Sequence, residues 1–169
     1  MTITTSLRRP LRRLDLEVRQ FNAPPSLSQD LQKVLVDLIE LHLQGKQAHW
    51  NVVGTNFRDL HLQLDEIVDT ARLASDTIAE RMRALDAIPD GRSDTVTATT
   101  SLPLFPAGEI STADTVDAVT WRIYAAVETM RNVHDDVDIF DPSTADLLHE
   151  MIDSLEKAAW LLKSENRKV

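Results

Sequence analysis

Five side chains of the kinds that hold metal ions, His49, His61, Asp65, Asp76 and Glu80, fall among helix formers in residues 45–86. Imidazole and carboxylate ligands suit iron or manganese, with zinc also able to bind. The chain has no cysteine, which disfavours a closed structural zinc site and excludes thiol catalysis. On a helix, Asp65 lies about 40° round from His61, and Glu80 about 40° round from Asp76, so each pair can share one ion. Asp65 and Asp76 point in nearly the same direction but stand roughly 16 Å apart along the axis. Metal ligands must converge to about 2 Å from the ion, so within one chain the two pairs cannot meet. A second copy packed antiparallel about a two-fold axis near Thr70 and Ala71 would set Asp76 and Glu80 of one subunit opposite His61 and Asp65 of the other, creating two identical sites. Thr70, Ala71, Ala74 and Ser75 are small enough for close approach there. His49, before the turn, could reach the His61 end. The ordinary alternative is a solvated helix face, since acidic pairs four residues apart are common and a lone histidine is more often packed or exposed than metal-bound. A di-iron site inside a single bundle would use Glu-x-x-His motifs on two helices. None occurs, the nearest approach being Asp146 with His149.

The elements that must carry these residues read as helices. After Pro24-Pro25, Ser26 with Gln29 forms a capping-box pattern. The first helix then shows Leu31, Leu35, Leu38, Leu41, Ala48 and Val52 at helical spacing and ends near Gly54. The second spans about Phe57 to Asp86, with Leu60, Leu64, Ile67, Ala71, Ala74, Ile78 and Leu85 on its core side and Pro89 and Gly91 closing it. The ligand residues are offset from that core stripe, so they face sideways, as an interface would. Residues 87–111 are rich in Thr, Ser and Pro and too long for a tight turn, so they cross the length of the bundle and could include a short helix. Ser111 with Asp114 opens a third long helix with the stripe Val116, Val119, Ile123, Ala126, Met130, Val133 and Val137. Asp141 caps the last one, with Pro142 in its first turn and Leu148, Met151, Leu155, Ala159 and Leu162 beneath. The fold class is all-α: a ferritin-like four-helix bundle over residues 26–166 with a long crossover between its second and third helices. Residues 1–25 form an Arg-rich arm and 167–169 a short tail.

Bulk properties agree with one domain of this kind. The 169 residues are 43% hydrophobic, enough for a real core, with only 5% aromatic residues and four glycines, which favours helices over strands. The net charge of −9 argues against a body that binds nucleic acid over its whole surface. Charge is uneven, however, because Arg8, Arg9, Arg12 and Arg13 precede any acid. The start lacks the hydrophobic stretch of a secretory or twin-arginine signal, and no apolar run reaches membrane-spanning length. These features point to the cytoplasm; the Arg-rich, Ser/Thr-bearing start also resembles an organelle transit peptide.

The segment KQAHWNVVGTNF, followed by His61, Asp65 and the run SDTIAERMRAL, resembles the Dps family of mini-ferritins, named for DNA protection during starvation. The last helix, TADLLHEMIDSLEKAAWLL, supports the likeness, which covers residues 28–165 and omits the arm. The resemblance implies a hollow shell of twelve subunits with ferroxidase centres shared across two-fold interfaces. Carried over position by position, His49, His61 and Asp65 come from one subunit, and Asp76 and Glu80 from its mate. It further implies oxidation of Fe(II), usually by hydrogen peroxide in preference to oxygen, with ferric mineral deposited inside the shell; this disarms Fenton chemistry. Trp50 matches a family tryptophan near the site, either intercepting stray oxidising equivalents or packing, as for Trp160. Asp141, Asp146 and Glu150 resemble acids that line an iron-entry pore, although Asp141 also fits a helix cap. His42, His134 and His149 are read as structural or exposed.

Some Dps proteins bind DNA through basic tails. Twelve copies of SLRRPLRRL on one shell would make a multivalent, salt-sensitive phosphate binder through Arg8, Arg9, Arg12 and Arg13. The alternative is that Leu7, Leu11, Leu14 and Phe21 dock the arm on the acidic shell. Two functions therefore stand side by side: an iron-oxidising and storing protein, with iron as Fe(II) and Fe(III), and a nucleoid-associated DNA-compacting protein in which metal binding is secondary.

Overall fold

The computed structural model describes residues 21–168. Four long helices, α1 (Pro25–Asn51), α2 (Phe57–Ala84), α4 (Thr112–Phe140) and α5 (Pro142–Ser164), close into a bundle, and α3 (Ser93–Thr99) lies on the crossover between α2 and α4. Helix α1 packs on α2 and α4, and α5 packs on α4 and α2. Every residue of the four apolar stripes expected from periodicity is buried. Each fully buried Leu or Ile among them contributes roughly 2 kcal/mol, which is why the stripes fix how the helices face. The crossover's short helix, unplaced by sequence, is α3, with Val96 turned into the interior.

Two local expectations are corrected. Helix α1 starts with Pro25 at its first position after Pro24 and has no side-chain cap, so Ser26 with Gln29 is not a working capping box. Proline's fixed φ and missing N–H suit that first turn without one. Asp141 precedes α5, but its carboxylate does not cap the helix. It takes an ion pair from Arg81 Nη2 at 2.6 Å and a hydrogen bond from the Thr144 hydroxyl, tying the end of α2 to the start of α5. The all-α reading stands, and to it the structure adds one two-residue pairing, in which β1 (Val52–Val53) runs parallel to β2 (Ile110–Ser111). By contrast Ser111 caps α4 as expected, accepting from the Asp114 N–H at 3.1 Å.

Polar groups on α1, of which Asp37 and Gln44 are buried, hold the crossover. Gln32 donates to the Asp90 carbonyl at 2.7 Å and accepts from the Asp90 N–H at 2.9 Å. Asp37, only 2% exposed, accepts from Thr100 Oγ1, the Ser101 N–H, Ser101 Oγ and, on α4, Thr129 Oγ1, all within 2.6–2.8 Å. Gln44 donates to the Pro103 carbonyl at 3.0 Å and accepts from buried Arg122, which also donates to the Leu104 carbonyl at 2.6 Å. A buried polar group is tolerated when its partners are supplied, and here the partners are the connection itself.

Candidate metal centre

The turn between α1 and α2 brings two of the five candidate ligands together. Gly54, at φ +125, turns the chain where a side chain would be strained, and an added Cβ would come within 3.3 Å of the Thr112 hydroxyl. Asn56 follows at φ 63, its amide bonded to Glu165 on the end segment after α5. The β1–β2 pairing fastens this turn to the start of α4. His49, in the last turn of α1, and His61, near the start of α2, are thereby stacked with ring centroids 3.6 Å apart.

Their hydrogen bonds are reciprocal. His49 Nδ1 lies 2.9 Å from the His61 carbonyl, and His61 Nδ1 lies 3.0 Å from the His49 carbonyl. A carbonyl only accepts, so each Nδ1 carries the proton and donates, leaving each Nε2 with a free lone pair. That is the tautomer and orientation in which histidine ligates a metal. Asp65, one turn beyond His61 on the same face, places Oδ1 3.4 Å from His49 Nδ1. His49 is buried, whereas His61 and Asp65 are half-buried, so the group is open on one side.

Lys46, which sequence reasoning did not single out, is part of this group. Its ammonium forms an ion pair with Asp65 Oδ1, and this hydrogen bond holds the Asp65 carboxyl below its ordinary range against a smaller opposing effect of burial. Its spacing was a usable signal, since a residue three before His49 sits on the same side of α1. One turn earlier, His42 is held below its usual pKa by burial and then by the charges of Arg72 and Lys46.

Asp76 and Glu80 lie exposed further along the same face of α2. Among the described residues, no three His, Cys, Asp or Glu side chains of one chain come together as a complete metal-holding group. The adjacent Arg81 does not neutralise Glu80's face, because it turns the other way to Asp141 and Thr144. One detail of the expected crossing is revised. Ala71 and Ala74 are buried in their own bundle, at 0% and 7% exposure, so they are not available to a partner. The outward residues near the middle of α2 are Asp69, Arg72 and Leu73.

The remaining candidates divide. Asp146 and Glu150 are exposed on α5, whereas Asp141 is taken up by Arg81 and Thr144. Trp50 and Trp160 are 68% and 62% exposed, so neither packs in this chain's core. His134 and His149 stack on each other across α4 and α5, at 4.2 Å between centroids. Arg8, Arg9, Arg12 and Arg13, with the rest of the arm before Phe21, lie outside the described residues. No helix among the described residues is long and apolar enough to cross a membrane.

Residues 28–169 match the ferritin-like domain family. DNA protection during starvation protein 2 of Deinococcus radiodurans is 35% identical over 136 residues, 80% of this chain but 56% of that protein's length. The DNA protection during starvation protein of Agrobacterium fabrum is 33% identical over 144 residues, covering 85% of this chain and 89% of that one. The fold also superposes on the structure of Dps from Microbacterium arborescens in its high iron form, with a TM-score of 0.80, 34% identity and coverage of 86% and 97%.

Proposed function

This chain belongs to the Dps family of ferritin-like proteins, and from that premise we propose that it oxidises Fe(II) and stores the ferric product, so protecting DNA and cell from oxidative damage. The observation that carries the reading is the separation of the candidate ligands: His49 and His61 oriented against each other at the α1–α2 turn with Asp65 one turn on, and an exposed Asp76 and Glu80 pair about 16 Å further along α2. Each is half of a site, and an antiparallel mate supplies the other half. The substrate is iron. The Nε2 atoms of His49 and His61 bind it together with Asp65, and Asp76 and Glu80 of the partner subunit complete the shell. Carboxylates favour the harder Fe(III) over Fe(II), so a mostly acidic site lowers the cost of giving up the electron. Two Fe(II) ions supply the two electrons that, with two protons, reduce one hydrogen peroxide to two waters; oxygen is the other candidate oxidant.

Lys46 has a part in this chemistry. Its ammonium keeps Asp65 ionised and in place, and it yields as the ion's charge arrives. Twelve subunits would close the shell, with Asp146 and Glu150 drawing Fe(II) toward an entry pore by their negative potential. The Arg8, Arg9, Arg12 and Arg13 arm is the candidate contact for DNA, which would place the assembly in the cytoplasm beside the nucleoid.

Fe(II) oxidation by size-fractionated protein, with hydrogen peroxide or air, tests the reading in wild type and His61→Ala. Fast oxidation by a large assembly that is lost in the variant is expected. If both match the protein-free rate, the shared ferroxidase site is wrong and DNA binding through the arm becomes the leading function.

A further inference from the structure

The outward face of α2 carries a second symmetry besides the metal ligands. His61 and Glu80, Asp65 and Asp76, and Asp69 and Arg72 are three pairs whose members each stand equally far from the midpoint between Thr70 and Ala71. All six residues fall within a sector of about 100° round the helix, so a two-fold axis at that midpoint brings each member opposite its counterpart on an antiparallel copy. The innermost pair lies nearest the crossing, where two helices approach most closely. It is also the pair of opposite charge.

Asp69 and Arg72 are free to act outward. Their side chains are 73% and 66% exposed, and their contact within the chain is a loose one, Arg72 Nε to Asp69 Oδ1 at 3.8 Å. Beside them Leu73 is 67% exposed, an apolar side chain with no place in its own core. Charge and apolar surface together describe a face made for a copy of itself.

We propose that Asp69 and Arg72 of one subunit pair with the partner subunit's Arg72 and the partner subunit's Asp69, two reciprocal ion pairs that straddle the axis and set the register of the shared metal sites. This rests on the shared-site reading above and adds what selects the alignment. A slip of one helical turn moves the opposed charges about 5 Å apart along the axis, and the same slip carries Asp76 and Glu80 away from the histidines they must meet. The charges at the centre thus act as positioning residues for ligands about one and two turns away on either side.

Charge reversal on the full chain tests it. Arg72→Glu puts four acids around the axis, and Asp69→Arg puts four cations there. Each single variant should weaken self-association by about tenfold or more at low salt, as like charges in an interface do, and lower Fe(II) oxidation with it. The double variant Asp69→Arg/Arg72→Glu recreates the pairs in reverse and should recover both properties, with all three variants keeping wild-type helicity. Sedimentation at low and high salt and peroxide-driven Fe(II) oxidation are the readouts. Singles that associate and oxidise like wild type, or a double no better than the singles, would overturn the register role while leaving the shared site standing. A wild type that stays monomeric and inert toward Fe(II) would remove the shared site and this inference together.

Discussion

Replacing Lys46 by methionine keeps the aliphatic stem and removes the charge that contacts Asp65. The pair itself contributes little to stability, because both side chains are about a third or more exposed, at 32% and 40%. Exposed ion pairs are worth about 0.2–1 kcal/mol, so the unfolding midpoint should hardly move. Metal affinity should change more. An ion bound to Asp65 stands about 2 Å from the carboxylate oxygen, which places it roughly 4 Å from the ammonium that touches the same oxygen. At that separation a single and a double positive charge repel by about 2 kcal/mol even in a water-like dielectric, the appropriate limit for so open a site. Part of this is relieved because the lysine can swing away, leaving about 1.4 kcal/mol, or tenfold tighter divalent binding in Lys46→Met. Calorimetric titration of the assembled protein with Co(II), which does not enter the oxidation, measures it directly. The gain should shrink as salt is added, since the charges are exposed. Weaker binding in the variant would refute the reasoning, showing that Lys46 chiefly positions Asp65 rather than competes for it.

Two further outcomes follow from the same geometry. Asp37→Ala strands the Ser101 N–H and three hydroxyls around a nearly unexposed position and should cost roughly 3 kcal/mol, lowering the thermal midpoint by about 6–12 °C; a loss under about 1 kcal/mol would mean that the crossover is held elsewhere. For Asp65, whose carboxyl is held below 3.8 chiefly by Lys46, the stabilising pair is fully present above 3.8 and is lost only as pH falls through the lower folded value; carboxyl NMR of the metal-free protein should show Asp65 titrating late in wild type and nearer 3.8 in Lys46→Met, and equal midpoints would exclude Lys46 as the cause.

Helical spacing made most of the bundle legible, because burial of an apolar stripe is a periodic demand that leaves a periodic record. The ends of the helices were less legible. Ser111 and Asp141 look alike as caps in sequence, but Arg81, sixty residues from Asp141, claims that carboxylate, and such a competitor has no local signature. The parallel pairing of Val52 with Ile110 is equally non-local. Within the metal group, residue types and intervals were enough to join His61 with Asp65, yet the reciprocal carbonyl bonds that orient His49 and His61 depend on the turn's backbone. Lys46 was overlooked because a cation is not sought among metal ligands. Asp37 and Gln44 were detectable as polar interruptions on the buried side of α1, a pattern that asks for a partner without saying where it comes from.

The pins that α1 places on the crossover have a meaning for how such a chain can lengthen. Asp90, Thr100, Ser101, Pro103 and Leu104 are each fixed to a partner, so an added residue anywhere in that run would put later contacts out of step. Beyond Phe105, which packs on the core beneath the Arg122 guanidinium, the constraint relaxes until Ile110 rejoins β1. Gly108 stands in open space, with no atom within 4 Å of where its Cβ would be. Length variation among related chains, and any peptide an engineer wished to insert, should therefore collect at residues 106–109, where extra chain can loop outward without moving either end of the site.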